Sequence, residues 1–485
     1  MTSSIRPTLR LFAQAEVELV VAEACRVLES AGVLVENAEA QQLLREAGAS
    51  AQDGRFRIPE RLARAAVESA PARICVYDRN GELAMDLGED RVHFDPGSAA
   101  IHIFDLGQNR RREITTEDAV DFARLVDDLP GYAAQATALA PADVPKPITD
   151  RYRLYLVLRH SRKPVVTGTF AKDGFAPMHA MLSAVRGGAE PLRERPLAIF
   201  DCCPSPPLKW SDLTCQALID CAHTGIPAEL VSMPLSGATS PVTLREAIVQ
   251  HCAENLSGVT IHQLARRGSP IIWGGSPAAF DMRRGTTPMG AIETMMIDCG
   301  YAQVGKHLGL PTHAYMALSD AKCPDYQAGF ESGIGAVLAA LAGINVVSGP
   351  GMLDFEMCQS LEKVLLDHDV VTMAQRLVRG IEKREGDAVA LLGELVGMSS
   401  FLSHAHTRRN WRQELSIASP LVDRDTYLDW EGKGAKWAHQ RAAEEVERRL
   451  ERIVVPPLEP SVDAALCDIM FAEAKRHGLD TLPES

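Results

Sequence analysis

PAELVSMPLSGATSPVTLREAIVQHCAENLSGVTIHQLARRGSPIIWGG, residues 227–275, holds one whole cycle of the pattern that decides the fold. A short apolar segment, Pro227–Met233, opens at a proline. After it comes a longer segment in which Leu244, Ile248, Cys252, Leu256 and Val259 recur at helical spacing and form one apolar stripe. Ser240 suits the cap of that helix, Pro241 its first position, and Gly268 its close. Pro270–Gly274 then starts the next apolar segment. Strand, amphipathic crossover, strand is the unit of a parallel sheet.

The same cycle extends in both directions. Upstream lie Tyr132–Ala138, Pro164–Phe170 and Pro196–Asp201; downstream lie Pro311–Met316 and Ile344–Ser348. Thr287-Pro288 opens a further helix that Gly309 ends. Seven strand signals alternating with helices predict an α/β protein of the TIM (β/α)8 barrel type. Ser399–Ser403 is the candidate eighth strand. A doubly wound open sheet is the alternative, and it finds no support from a GxGxxG after a strand or from a GxxxxGK[ST].

The flanks read differently. Residues 1–130 are expected to form an α+β extension. Val17, Val20, Val21, Ala24 and Leu28 mark a helix over Ala13–Ala31, and Arg73–Leu87 alternates around Asn80-Gly81 as a hairpin does. Val92–Phe94 and Ile101–Phe104 read as strands, and Thr115-Thr116-Glu117-Asp118 as a helix start. The barrel core is assigned to 131–405. A helix is expected over Glu362–Arg384, and a C-terminal helical extension over 406–485 includes a charged helix at Lys436–Val454.

Composition narrows the function classes. Lys+Arg 50 against Asp+Glu 64 gives a net charge of −14 over 485 residues, which argues against a nucleic-acid surface. No run reaches the roughly 18 apolar residues of a membrane helix. Arg6 and Arg10 are followed by Glu16 and Glu18, unlike a signal peptide. The 11 cysteines are scattered without a CxxC, as expected of reduced thiols in the cytoplasm, and Cys202-Cys203 is read as strand packing.

A barrel places its chemistry at the carboxyl ends of its strands. There the sequence puts Thr167, Thr169, Asp201, Cys202, Ser232, Gly274-Gly275-Ser276, Tyr315 and Gly349-Pro350-Gly351. Asp201, Asp281, Asp320, Asp325 and Glu331 lie near those ends, and each fits a helix cap as well as a ligand group. Lys322, between Asp320 and Asp325, fits an ion-paired role better than a Schiff base. The histidines show no HxxxH on a helix and no HxD beside a strand, so no metal site is assigned. Phe200, Trp273 and Tyr315 suit either core packing or a cage for a cationic ligand.

Longer motifs add a family. HFDPGSAAIHIFDLGQNRRREITTEDAVDFARLVDDLP (93–130), LSGATSPVTLREAIVQHCAENLSG (235–258), GGSPAAFDMRRGTTPMGAIE (274–293), SDAKCPDYQAGFE (319–331) and LAGINVVSGPGMLDFEMCQSLEKVLLD (341–367) resemble, in this order, the trimethylamine methyltransferase family. The resemblance spans nearly the whole chain. It implies a TIM barrel that takes a methyl group from a methylated amine and passes it to the cobalt of a corrinoid protein.

The founding enzymes carry pyrrolysine near the segment before Ser319. Here that segment is Tyr315-Met316-Ala317-Leu318, so the chain resembles the non-pyrrolysine branch, which acts on quaternary amines such as glycine betaine. A quaternary ammonium already carries its leaving charge, so the protein's task is to present one methyl carbon in line with the Co(I) nucleophile. Position and motif together nominate Asp320 as the catalytic group, with Phe94, Trp273 and Tyr315 around the cation. His102 and Arg283 are nominated for a betaine carboxylate, and Glu254 and Gln327 for the pocket lining. No cofactor is expected to be tightly bound in the chain; the acceptor is a corrinoid (cobalamin) on a partner protein, with a homo-oligomer expected. Two other readings stand beside this one: direct methyl transfer to tetrahydrofolate, and a non-catalytic betaine-binding barrel.

Overall fold

The computed structural model describes residues 6–382, 387–396 and 400–483. Eight parallel segments organise it: β1 (His93–Asp95), β2 (Gln135–Ala136), β3 (Val165–Thr167), β4 (Ala198–Cys202), β5 (Ala228–Leu230), β6 (Ile271–Ile272), β7 (His313–Ala314) and β8 (Val346–Ser348). Consecutive strands pair in parallel from β2 to β6 and from β7 to β8. A Trp273–Thr312 bridge joins β6 to the start of β7, and a Phe94–Tyr132 bridge joins β1 to the segment leading into β2. β8 pairs with β1, so the pairings return on themselves in a ring.

All seven expected strand segments are members of this ring. The eighth member is β1, not Ser399–Ser403. Ser399 lies outside the described residues, and 400–403 form a bend and turn. The reason is register. His93, Phe94 and Asp95 sit opposite Val346, Val347 and Ser348, so a strand of the N-terminal segment closes the sheet that begins again at Tyr132. The N-terminal segment and the ring therefore interlock across residue 130.

The hairpin read from Asn80-Gly81 forms from Ile74–Tyr77 and Leu83–Leu87. Its Ile74, Val76, Met85 and Leu87 make one buried cluster with Ala134, Val166, Ile199, Ile272 and Val346, residues of five ring segments. The hairpin thus plugs the amino-terminal end of the ring with aliphatic side chains.

Around the ring, Leu244–Ala265 is the longest helix and is buried along most of its length. It starts four residues after the expected cap, because Ser240 is held in a turn by its N–H to the Leu235 carbonyl and Ser236 Oγ donates to the Val242 carbonyl. The N-terminal helix Gln14–Ser30 packs on it through Val17, Val20, Val21, Ala24 and Leu28. Thr115 and Asp118 form the reciprocal cap expected of their spacing. Downstream, the helix expected over Glu362–Arg384 runs from Leu361 to Val378, and Arg384 lies outside the described residues. Ala438–Arg452 and Pro460–Arg476 follow. No helix of the described residues is long and apolar enough to cross a membrane.

Beyond β8 a small sheet borders the carboxyl end of the ring. Met352–Leu353 and Cys358–Gln359 pair antiparallel, and His102–Asp105 and Arg110–Glu113 extend them. The connecting turn holds Asp354, Phe355 and Glu356 at φ 51, 58 and 67, three consecutive non-glycine residues in the left-handed region. Each such residue costs of order 1–3 kcal/mol and persists only where its surroundings hold it.

Candidate active site

Side chains alternate along a strand, so every second ring residue faces inward. Two residues above the aliphatic floor, the inward positions change character. Val346 gives way to Ser348, Ile199 to Asp201, Ile272 to Gly274 and Val166 to Gly168. Asp95 joins them, accepting the Ser348 hydroxyl at 2.9 Å. Glu229 and His313 come from β5 and β7, with the Glu229 carboxylate 3.2 Å from His313 Nε2. Tyr315 donates its hydroxyl to Asp201 at 3.2 Å. The glycines make the room: a Cβ on Gly274 would lie 2.7 Å from His313 Nδ1, and one on Gly168 3.3 Å from the Asp201 Cβ.

Three acids thus share a chamber with a neutral histidine. Burial raises the Asp95 carboxyl well above its usual range, with Asp201 adding to the effect. Burial, and then the charge of Asp201, does the same to Glu229. Asp201 is pushed up to about 6 by burial, the neighbouring Glu229 carboxyl and then the Tyr315 hydroxyl opposing the rise. His313 is driven down to about 3 by burial, so it carries no positive charge with which to balance these acids. Asp95 Oδ2, Asp201 Oδ1 and both Glu229 oxygens are buried without a hydrogen-bond partner.

Glu356 comes to this chamber from the left-handed turn. Its Oε1 is buried and unpartnered, and burial, then Asp320 and Asp201, raises its carboxyl to about 8. The turn is held by Asp354, which pairs with Arg111 and Lys322, and by the Lys322 ammonium 3.9 Å over the Phe355 ring. That arrangement places Lys322 in the ion-paired role expected of it.

The nominated residues divide three ways. Tyr315 stands in the chamber beside Asp201. Asp320 borders it, accepting the N–H groups of Met289 and Gly290, each at 2.9 Å, with burial raising its carboxyl to about 6. A Cβ on Gly290 would meet the Glu331 carboxylate at 2.7 Å, so that loop requires glycine. His102 belongs to the bordering sheet, opposite Cys358, with its Nδ1 buried and unpartnered.

Phe94 and Trp273 face the other way. Asp95 points inward, so alternation turns Phe94 into the helix-side core. Trp273 lies over Gly305, contacts His251 edge-on and donates its indole N–H to the Tyr301 carbonyl, all on the helix side. Neither ring reaches the chamber.

Glu254 and Gln327 are occupied by structural bonds. Glu254 accepts the Leu208 N–H and the Ser232 hydroxyl, tying a loop to the end of β5. Gln327 donates to Glu331 at the exposed start of the helix Tyr326–Ala342. Arg283, with 86% of its side chain exposed, sits in a turn closed by Asp281 and stays outside.

Sequence reading missed Asp95, Glu229 and Glu356. Glu229 carried a signal, being the one charged residue inside the Pro227–Met233 segment. Asp95 carried a weaker one before Pro96-Gly97. Nothing in a local pattern foretells three left-handed residues in a row.

Ring and chamber define an α/β protein that gathers buried, incompletely bonded acids at the carboxyl ends of its parallel strands. The chain matches the trimethylamine methyltransferase (MTTB) family over residues 2–478 and belongs to it. Among its relatives is the trimethylamine methyltransferase MttB of Desulfitobacterium hafniense (strain DSM 10664 / DCB-2), 31% identical over 471 residues, 96% of this chain and 95% of the relative. Another is the glycine betaine methyltransferase of Desulfitobacterium hafniense (strain Y51), 27% identical over 475 residues, 97% of this chain and 98% of the relative. The solved monomethylamine methyltransferase (MtmB) of Methanosarcina barkeri shares the fold, with a TM-score of 0.52 at 11% identity over 91% of this chain and 93% of that one.

Proposed function

We propose that the protein is a methyltransferase that demethylates a quaternary amine of the glycine betaine kind and passes the methyl group to a corrinoid protein. The observation that carries this reading is the chamber: buried acids, each with at least one oxygen that has no hydrogen-bond partner, next to a histidine that burial keeps neutral. Such a site attracts a cation, and a quaternary ammonium satisfies it without needing hydrogen bonds. Relatives named for trimethylamine and glycine betaine support the substrate class. Tyr315-Met316-Ala317-Leu318 holds ordinary residues, which favours a donor already charged over trimethylamine. We read the ring as a TIM (β/α)8 barrel, with residues 1–130 supplying its plug and first strand, the core reaching residue 405, and 406–485 a C-terminal helical extension.

In the transfer, the N–CH3 bond breaks and its electron pair stays on nitrogen, leaving a neutral tertiary amine. The corrinoid of the partner protein supplies the two-electron nucleophile, Co(I). The chain's residues orient: Asp201, held by Tyr315, faces the ammonium, and Glu356 covers it from the bordering turn. Burial raises Asp95 and Glu229 but pushes Asp201 only to about 6, so Asp201 is the acid that meets the cation with its charge at neutral pH. The ground-state cation is thus held without being stabilised so strongly that transfer slows. Asp320 keeps its nominated place at the border, as the acid that fixes the 289–290 loop. The scattered free thiols agree with a cytoplasmic protein.

The test is spectroscopic. Purified protein is mixed with Co(I) cobalamin and with glycine betaine, proline betaine, carnitine, choline or trimethylamine in turn. Conversion to methyl-Co(III) with a quaternary amine is the expected result. Methylation of tetrahydrofolate in place of cobalamin, or saturable binding with transfer to neither acceptor, would replace the reading by one of its two alternatives.

A further inference from the structure

Arg151 and Arg153 lie two residues apart on the helix Thr149–His160, and both are almost fully buried. Arg151 is paired with Asp150 at 3.3 Å, Asp173 at 3.3 Å and Glu473 at 2.8 Å. Arg153, 2% exposed, has no ion pair among the described residues. Its Nη1 donates to the Thr137 carbonyl at 2.6 Å, its guanidinium lies 4.3 Å over the Phe170 ring, and its Nε is buried without a partner. Thr137 follows β2 and Phe170 follows β3, so this guanidinium stands at the carboxyl end of the ring. Burial lowers it to about 10, which leaves it charged at neutral pH.

The ionisable groups around it are Asp150, Asp201 and the neutral Tyr315. Asp150 is committed elsewhere, its Oδ1 accepting the Arg151 N–H and its Oδ2 the N–H groups of Phe170 and Ala171. Asp201 is committed through one oxygen only: its Oδ2 accepts the Tyr315 hydroxyl, while its Oδ1 is buried in the chamber without a partner. An under-used guanidinium and an under-used carboxylate therefore lie near one another at the carboxyl end of the ring. A buried arginine with no counter-ion is costly, and a carboxylate that docks on it forms charge-assisted, forked hydrogen bonds. The complement to both groups together is a small zwitterion.

We infer that Arg153 binds the carboxylate of a zwitterionic methyl donor whose ammonium faces Asp201, so that it selects betaines over quaternary amines that lack a carboxylate. The inference rests on the quaternary-amine reading for the identity of the cation. It puts the carboxylate contact on Arg153 in place of the exposed Arg283.

The experiment compares wild type, Arg153→Met and Arg153→Lys, each checked for native circular dichroism and melting. Calorimetric titration uses glycine betaine and, as the carboxylate-free probe, tetramethylammonium; transfer to Co(I) cobalamin is measured with glycine betaine and choline. Removing a charged, hydrogen-bonded partner predicts an affinity loss on the order of 100-fold for glycine betaine in Arg153→Met, with tetramethylammonium within about threefold of wild type. Arg153→Lys, which keeps the charge but not the fork, should lose about tenfold and serves alone if the methionine variant does not fold. Equal losses for both ligands, no loss for glycine betaine, or no binding of glycine betaine by wild type each overturn the inference. Binding that depends on Arg153 without methyl transfer to cobalamin would instead overturn the proposed function and leave the carboxylate site standing.

Discussion

Ile199 and Asp201 point into the same ring from one strand, two residues apart, and they live in opposite environments. Ile199 meets the hairpin through Ile74, Val76, Met85 and Leu87, a floor built only of apolar side chains. Asp201 meets Glu229, Tyr315 and Asp95, where polar groups are buried without partners. The floor is satisfied by packing alone, whereas the chamber is left with bonding capacity that a ligand would complete. One step along the strand separates the part of the ring that holds the fold from the part that carries chemistry.

The largest effect should come from putting the chamber's chemistry into the floor. Ile199→Asp buries a carboxylate among aliphatic side chains with no donor in reach, a change expected to cost more than about 4 kcal/mol. Expression should give aggregated or unfolded chain by circular dichroism and gel filtration. A folded variant with a normal melting transition would mean that the floor is open to water.

A cavity in the plug should weaken the fold without touching the site. Met85→Ala removes a buried side chain at the centre of the floor and should lower stability by about 2–5 kcal/mol in urea unfolding. Glycine betaine affinity should stay within about twofold. A comparable loss of affinity would show that floor and chamber are coupled, and the contrast between them would fail.

These two ends were not equally legible. The floor was readable because its causes are local: proline-led apolar segments, an Asn80-Gly81 turn and alternation about it give the ring strands and the hairpin directly. Even there the eighth strand was sought at Ser399–Ser403, because the pairing of His93–Asp95 with Val346–Ser348 joins residues far apart in the chain. The chamber was readable by position, at strand ends, but not by orientation. Phe94 and Trp273 lie in or beside ring strands, and a shift of one residue in register decides whether an aromatic ring faces ligand or helix. Arg153 was hidden for another reason: it stands in a crossover helix, and its place at the carboxyl end of the ring depends on the Thr137 carbonyl and the Phe170 ring that hold it.

Within the chamber, Asp201→Asn separates binding from stability. The carboxylate is pushed up to about 6 because burial disfavours its charge, and the Tyr315 hydroxyl bonds to it. Wild type should therefore bind glycine betaine more weakly as pH falls through about 6. Asp201→Asn should bind on the order of 30-fold more weakly at neutral pH, by the usual worth of a desolvated charge contact, and show no such pH dependence. Its urea midpoint should be no lower than that of wild type at pH 7, since the amide removes a charge the fold must otherwise bury. A large drop in stability would put Asp201 among the structural acids.

Per pH unit Glu356 gives the smallest effect, and it gives the clearest sign. Its carboxyl rises from an ordinary 4.5 to about 8, so between those values the unfolded chain is ionised while the folded chain keeps the proton. The folded state then binds more protons, and wild-type stability falls as pH rises, by about 1.4 kcal/mol per pH unit for this one group. Below about 4.5 the contribution is fully present, and above about 8 it is gone and the dependence levels off. Glu356→Gln cannot titrate, so its stability relative to wild type should climb from pH 5 to 8 and then run parallel. The Asp354–Phe355–Glu356 turn should remain left-handed in the variant, because Lys322 and Arg111 hold it through neighbours that are unchanged. Parallel stability curves over the whole range would mean that the Glu356 carboxylate faces water, and that the turn holds it for its shape alone.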